Sequence, residues 1–390
     1  MKKIEDLSLA GKKVFVRVDF NVPMADGRVQ DDLRMQKALQ TITFLRQQGA
    51  RTILCTHLGR PTREQKDKFS LAPVAEHLSS LIGTPVVLAP DCIGPEVEAL
   101  VQRMQDRDVL MLENIRLYKE ETENDRQFAA QLAGLAEVYV NDAFAVSHRA
   151  HASVVGVPAC IAEKAPGFLL QRELDYFQRS LDNPVRPLVA IVGGAKVSGK
   201  LQALENMLDR VDGLILGGAM ANTFLKSQGY ALGDSLVEDD LLAAAADLLR
   251  RAADKGVKVY LPVDVVAAER FANQAVSKLV TVQDIPDAWM ALDIGPASVL
   301  YFNEALAKAK TIVWNGPMGA FEMDSFSRGT MAIAHTVAAS HALTVIGGGD
   351  SNAAIKKAGE ADNISYMSTG GGAFLRLMEG KALPGVQALA

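Results

Sequence analysis

Two sets of chemically capable residues divide this 390-residue chain between them. The first half is rich in cations that stand just after short apolar runs. Asp19 and Asn21 follow Val14–Val18, and His57, Gly59 and Arg60 follow Thr52–Thr56. Arg116 follows Val109–Leu112, and His148, Arg149 and His151 follow Val138–Val140. Arg34 lies behind Asp31-Asp32, a pair suited to capping a helix. Several guanidiniums in one place repel one another unless an anion neutralises them, and their planar forks match carboxylate and phosphate oxygens. The pattern points to a small ligand carrying both groups, with Asp19 and Asn21 available for its hydroxyl. A surface ion pair explains any one arginine more simply; recurrence at successive run ends argues for a site.

The second half is built from glycine and lysine. Leu188–Val192 is followed by Gly193-Gly194-Ala195-Lys196-Val197-Ser198-Gly199-Lys200. Gly194 to Lys200 has the spacing of a phosphate-binding loop, but Leu201 stands where a Mg²⁺-binding Ser or Thr belongs. Backbone N–H groups at a helix start and two lysines still suit a polyphosphate, the alternative being a tight turn with solvated lysines. Gly217-Gly218 precede Ala219-Met220, residues small enough to admit a flat base. Gly347-Gly348-Gly349-Asp350-Ser351 and Ser368-Thr369-Gly370-Gly371-Gly372 each open a helix. Asp350 is placed to hold Mg²⁺ against phosphates, with helix capping as the plain alternative. Trp314-Asn315-Gly316-Pro317, with Glu322 soon after, suggests a turn that contacts base and ribose.

The elements that must carry these residues are short β-branched runs alternating with amphipathic helices. That alternation predicts parallel sheets covered on both faces, with ligands outside the carboxyl ends of the strands. Expected strands are Lys13–Val18, Thr52–Thr56, Val86–Leu88, Val109–Leu112 and Val138–Val140 in the first half. In the second they are Leu188–Val192, Gly213–Leu216, Val257–Leu261, Thr311–Trp314, Leu343–Ile346 and Ile364–Met367. Leu170, Leu174, Phe177 and Leu181 fall on one face of a helix that starts after Pro166-Gly167 and ends before Asn183-Pro184. It reads as a connector between two domains, 1–167 and 184–370, with 168–183 between them; a crossover helix within one sheet is the alternative.

Composition narrows the partners. Forty-one basic against 46 acidic residues give a net charge of −5, which argues against a nucleic-acid or membrane-surface protein. Hydrophobic residues make up 49% and charged residues 22%, enough to bury large cores. Three scattered cysteines (Cys55, Cys92 and Cys160) speak against a disulfide framework or zinc site and for reduced, buried thiols in a cytoplasmic protein. No export signal is expected at the N-terminus, and Thr330–Gly349 is too polar to span a membrane. G-x-G-x-x-G is absent, which disfavours a nicotinamide dehydrogenase, and no G-x-S-x-G elbow of a serine hydrolase occurs.

Val16-Arg17-Val18-Asp19-Phe20-Asn21-Val22-Pro23, His57-Leu58-Gly59-Arg60-Pro61, His148-Arg149-Ala150-His151, Gly193-Gly194-Ala195-Lys196-Val197, Trp314-Asn315-Gly316-Pro317 and Gly347-Gly348-Gly349-Asp350 together resemble the phosphoglycerate kinase family, in its order. The resemblance implies two doubly wound parallel-sheet α/β domains facing a cleft, joined by a helix, with the C-terminal segment 371–390 returning to the first. It implies reversible phosphoryl transfer between 1,3-bisphosphoglycerate and ADP, giving 3-phosphoglycerate and ATP, in a cytoplasmic monomer that closes about a hinge. Asp19, Asn21, Arg34, His57, Gly59, Arg60, Arg116 and Arg149 would bind phosphoglycerate. Lys196, Lys200, Gly217, Gly218, Leu292, Asn315, Glu322, Gly348, Gly349, Asp350 and Ser351 would bind nucleotide, with Mg²⁺ on Asp350. Arg34, Lys196 and the helix starts at Gly349 and Gly372 would stabilise the transferring group. Ala291 stands where the family is expected to have glycine, and Val146-Ser147 differ ahead of His148. A nucleotide-binding α/β protein without kinase activity is the alternative.

Overall fold

The computed structural model describes residues 1–390, which form two compact units. The first comprises residues 1–174 and 382–390, and the second residues 175–381.

In the first unit, six strands form one parallel sheet: β1 (Lys13–Arg17), β2 (Arg51–Cys55), β3 (Val86–Leu88), β4 (Val109–Met111), β5 (Val138–Asn141) and β6 (Glu163–Pro166). Their spatial order is β3-β4-β2-β1-β5-β6. Val14, Phe15, Val16 and Arg17 are all buried, so both faces of β1 are covered. β6 was not expected: it begins with Glu, ends in Pro and lies at the sheet edge, where a missing N–H costs no ladder bond. A short hairpin, Met24–Ala25 with Arg28–Val29, was also unforeseen.

In the second unit the parallel strands are β7 (Leu188–Val192), β8 (Gly213–Leu216) and β9 (Lys258–Tyr260), and then β13 (Thr311–Asn315), β14 (Leu343–Ile346) and β15 (Tyr366–Met367). Between β9 and β13 come β10 (Asp264–Ala268), β11 (Ser277–Thr281) and β12 (Met290–Ile294), a separate antiparallel sheet in the order β11-β10-β12. The main sheet runs β9-β8-β7-β13-β14-β15. The antiparallel sheet escaped prediction because its strands mix Ala, Lys, Asp and Met with few β-branched residues and alternate weakly.

The segment read as a connector forms a helix, Phe168–Phe177, continued by a wider turn over Gln178–Asp182. The division between the units falls inside it, after Leu174. Its start is fixed chemically. Asp142, just past β5, accepts the N–H groups of Leu169 (2.8 Å) and Leu170 (3.2 Å), while Thr41 Oγ1 accepts that of Phe168 (2.9 Å). Burial pushes the Asp142 carboxyl up to about 6. The returning segment begins at Ala382, not at residue 371; residues 371–381 stay with the second unit. Gly385 N–H donates to Ser147 O at 2.9 Å and Asn141 Nδ2 donates to Gly385 O, so the return braces the loop that leads to His148 and Arg149.

Of two smaller expectations, one changes and one holds. Cys55 and Cys92 are buried, but Cys160 is exposed. Thr330–Gly349 covers most of a helix (Arg328–Ala338) and all of β14, and no helix is long and apolar enough to cross a membrane.

Asp142→Ala removes the acceptor for two helix-start donors. It is expected to lower unfolding stability by ~1–3 kcal/mol, read as a lower denaturant midpoint at unchanged slope. An unchanged midpoint would show that the carboxylate does not hold the helix.

Candidate active site

In the first unit, the residues singled out by type follow β4, β2, β1 and β5, four neighbouring parallel strands, so their loops crowd one sheet end. Arg34 joins them as the second residue of the helix Leu33–Gln47, and its Nη1 donates to Asp19 Oδ2 at 2.7 Å. The proposed cap is divided: Asp31 accepts the Leu33 N–H, whereas Asp32 makes no cap bond and pairs with His77 at 2.9 Å. Asn21 Oδ1 accepts the Gly59 N–H at 2.9 Å, and Gly59 O accepts Arg116 Nη1 at 2.9 Å. Gly59 has φ +63°, and a Cβ there would meet the Phe69 ring at 2.5 Å, so the loop needs glycine.

Charge in this cluster is poorly compensated. Burial, then Arg149 and Arg17, hold Arg116 down at about 10, and its buried Nε has no partner. Arg149 Nε donates to His148 Nε2 at 3.2 Å. Burial and the surrounding arginines keep His57 well below the usual imidazole range and lower His151 to about 4. Both rings are therefore neutral near pH 7, and Asp19 at 3.7 Å from His57 is no ion-pair partner. Arg17 Nη2 lies 3.3 Å from His57 Nδ1. Since guanidinium only donates, Nδ1 accepts and Nε2 carries the proton, leaving His57 a neutral donor.

Sequence reasoning did not give Arg17 a role of its own. It is fully buried; Nε donates to Ser153 Oγ at 2.7 Å, and Nη1 donates to Val18 O. Ser153 in turn donates to fully buried Glu121 from its hydroxyl (2.6 Å) and its N–H (2.8 Å). Glu121 is thus the distant countercharge that permits Arg17 to orient His57. The only sequence signal was an arginine closing an otherwise apolar strand.

In the second unit, glycine loops follow β8, β7, β13, β14 and β15, five neighbouring strands. The first three interlock. Gly193 N–H donates to Asn315 O, Gly194 N–H to Pro317 O, and Gly218 N–H to Met318 O, each at 2.9–3.0 Å. A Cβ on Gly218 would lie 2.5 Å from Gly194 backbone, and one on Gly217 would lie 2.4 Å from Met318 Sδ. These amides are spent inside the protein and are not free to cradle phosphate.

Lys200 is similarly turned inward. Its Nζ donates to Gly193 O (2.6 Å) and Asn315 O (3.0 Å), and burial lowers it to about 8, with Asp350 opposing that shift. Lys196 is exposed in the same loop. Asn315 Nδ2 donates to Gly347 O at 2.7 Å, and Ser351 Oγ accepts the Gly316 N–H at 2.6 Å. Both side chains tie loops together, and neither lines the cavity described below. Trp314 is wholly buried.

The amides that remain lie at two helix starts. Helix Gly349–Lys357 begins behind Gly348 and helix Gly371–Met378 behind Gly370; neither start has a side-chain cap. A Cβ on Gly371 would come within 3.0 Å of Gly348 Cα, so the two N-termini touch. Adjacent uncapped N-termini with Asp350 in the first turn concentrate positive potential beside one carboxylate.

A cavity of 460 Å³ adjoins them, and Gly218, Leu292, Glu322 and Asp350 line it, as do Gly194 and Ala291. Lys196, Lys200, Gly217, Gly348 and Gly349 lie outside its lining. Phe271, Leu236 and Met290 complete apolar walls that sequence reasoning missed, because they sit on or beside the unforeseen antiparallel sheet. Asp293 closes the back, accepting Gly329 N–H (2.7 Å) and Ile294 N–H (3.0 Å), with burial raising it to about 7.

An arginine cluster at one sheet end and a flat apolar cavity beside paired helix starts at another define a two-unit α/β kinase of small anionic molecules. Comparison with known proteins agrees. The profile described as "Phosphoglycerate kinase" matches residues 4–381. A relative of that name from Desulfotalea psychrophila is 63% identical over all 390 residues and all of its own length. Solved phosphoglycerate kinases from Coxiella burnetii (TM-score 0.91, 42% identity) and Pyrococcus horikoshii OT3 (TM-score 0.86, 31% identity) each cover 100% of this chain and 98% of their own. The chain belongs to the phosphoglycerate kinase family.

Two titrations test these environments. The His57 ring resonances, assigned with His57→Asn, are expected not to move between about pH 5.5 and 8; a midpoint near 6.5 would contradict a neutral donor. Burial lowers Lys200 to about 8, so if ADP places phosphates beside it they would raise it again, and binding at about pH 8.5 is then expected to take up protons. Calorimetry in buffers of different ionisation enthalpy would show this, and Lys200→Met would abolish it. Uptake that survives in Lys200→Met would assign the proton elsewhere.

Proposed function

We propose that the arginine cluster holds phosphoglycerate, that the glycine-rimmed cavity holds the nucleotide, and that the phosphoryl group passes directly between them. The activity is that of the family: 1,3-bisphosphoglycerate and ADP are converted reversibly to 3-phosphoglycerate and ATP. Family membership does not favour the binding-only alternative. The observation that carries the mechanism is the pair of touching, uncapped helix starts at Gly349 and Gly371.

The acceptor carboxylate of 3-phosphoglycerate is already ionised, so no general base is required. What remains is in-line positioning and neutralisation of the three equatorial oxygens. Arg60, Arg116 and Arg149 bind the anionic groups of phosphoglycerate, while Asp19, Asn21 and the neutral His57 orient its hydroxyl and carboxylate. Arg34, anchored on Asp19, Lys196, and the N–H groups at Gly349 and Gly372 stabilise charge on the moving phosphoryl. Because the two ligands belong to different units, transfer requires closure about a hinge, which also keeps water out.

Magnesium fits the donor set. Asp350 offers one hard oxygen ligand beside a phosphate-binding helix start, and no cluster of three or more acidic, His or Cys side chains could cage the ion. Such a site suits an ion that keeps phosphate and water ligands, with Asp350 supplying one more. When bound, it neutralises phosphate oxygens. Free metabolites are the partners; with both sites formed by one chain, the reading is a cytoplasmic monomer that binds neither nucleic acid nor membrane.

Arg34→Ala and Lys196→Ala are each expected to fold normally and lose ~10²–10³ in turnover, or ~2.7–4 kcal/mol of transition-state stabilisation. A coupled assay with 3-phosphoglycerate, ATP and Mg²⁺ measures this. Full activity in either variant would remove that residue from the catalytic set.

A further inference from the structure

Five polar side chains line the 460 Å³ cavity: Asn222, Asp234, Asp293, Glu322 and Asp350. All five bring oxygen acceptors, and no Lys, Arg, His, Ser, Thr or Tyr joins them. They are not equivalent. Asp234, Glu322 and Asp350 are exposed, where water competes for their oxygens. Asp293 is buried but commits its carboxylate to the Gly329 and Ile294 N–H groups. Asn222, only 3% exposed, is the one buried member with an uncommitted oxygen. Its Nδ2 donates to Leu236 O at 3.3 Å, while its Oδ1 accepts no hydrogen bond and is not sealed off by protein.

The amide is fixed, and so is its place. Turning it over would set Oδ1 against Leu236 O, acceptor to acceptor, so the nitrogen stays on that carbonyl and the oxygen stays on the open side. Leu236 is itself an apolar wall of the cavity, and its segment is laid along β12. Asp234 N–H donates to Trp289 O at 2.8 Å, and Ser235 Oγ accepts the Ala291 N–H at 2.9 Å. Asn222 is thus tied to the apolar end of the cavity, where Leu236, Met290 and Ala291 suit a flat ring and not a phosphate. A desolvated acceptor without a partner destabilises the empty site, and a ligand N–H relieves it.

We propose that Asn222 selects the base: its Oδ1 accepts an N–H of the 6-amino group of adenine and disfavours a 6-oxo purine, whose carbonyl oxygen would face it. The inference rests on the reading that this cavity holds the nucleotide, and it adds which nucleotide. Adenosine and inosine diphosphates carry the same ribose and phosphates. Contributions from the helix starts, from Asp350 and from Mg²⁺ therefore cancel in the ratio of their affinities, which leaves the edge of the base.

The test is calorimetric titration of the full chain, with Mg²⁺, by ADP, by inosine diphosphate and by purine riboside diphosphate, which has hydrogen in place of the amine. ADP is expected to bind about tenfold more tightly than inosine diphosphate and about threefold or more tightly than the 6-hydrogen analogue. Equal affinities in the parent chain would overturn the assignment. Asn222→Leu, close to asparagine in shape, is expected to bring the ADP to inosine diphosphate ratio within about twofold of one. A ratio that survives in this variant would overturn it, as would equal weakening of both ligands, the mark of a purely structural side chain. Phe271→Ala tests the reading underneath. Phe271 is an exposed part of the cavity wall, so its loss is expected to weaken both nucleotides alike, by about threefold or more, at an unchanged ratio. Unchanged affinity for both would overturn the cavity as the nucleotide site, and the role of Asn222 with it.

Discussion

Arg116 sits among Arg17 and Arg149, half-buried, with one N–H unpartnered and its guanidinium held below its ordinary range. A folded chain tolerates such a cluster only where its remaining charge is disposed to offset it. Glu121 offsets Arg17 through Ser153, His57 and His151 are kept neutral, and Asp19 takes up Arg34. What is left over is net positive charge, and on the proposed reading an anionic substrate would bind there by relieving that repulsion.

The second unit meets the same constraint by other means. Its excess positive potential comes from dipoles and one inward lysine. Lys200 is held by two carbonyl oxygens, and the two helix starts leave their first amides uncapped. Fixed dipoles of this kind need no reorganisation as charge develops on a transferring phosphoryl group, which is why they suit transition-state stabilisation. Their fixity depends on glycine. Side chains at Gly217, Gly218 or Gly316 would collide with Met318, Gly194 or Lys200, so the interlocked loops cannot be built from larger residues.

Much of this was legible from residue types alone, for a physical reason. Parallel strands buried on both faces read as unbroken apolar runs, and the residues just beyond them lie at one sheet end, so Asp19, His57, Arg116 and Arg149 could be grouped without coordinates. What stayed hidden depends on orientation. Nothing in the spacing of Gly193 and Gly194 tells that their amides point at carbonyls, or that Asn315 and Ser351 tie loops together and stay out of the cavity lining. The antiparallel sheet that carries Leu292 and Asp293 has no strong period, and Phe271 and Leu236 were invisible with it. Glu121 lies 104 residues from Arg17 along the sequence, too far for local pattern to link them.

Ligand-dependent melting of Arg149→Met tests the idea of relieved repulsion most directly. Removing this charge deletes one repulsive neighbour of Arg116 and only one hydrogen bond, to His148. If the cluster is strained for want of an anion, the variant melts at a higher temperature than the parent chain without ligand and gains less on adding 3-phosphoglycerate. A variant that melts lower when ligand-free, or that keeps the parent's full ligand-induced rise, would contradict the account.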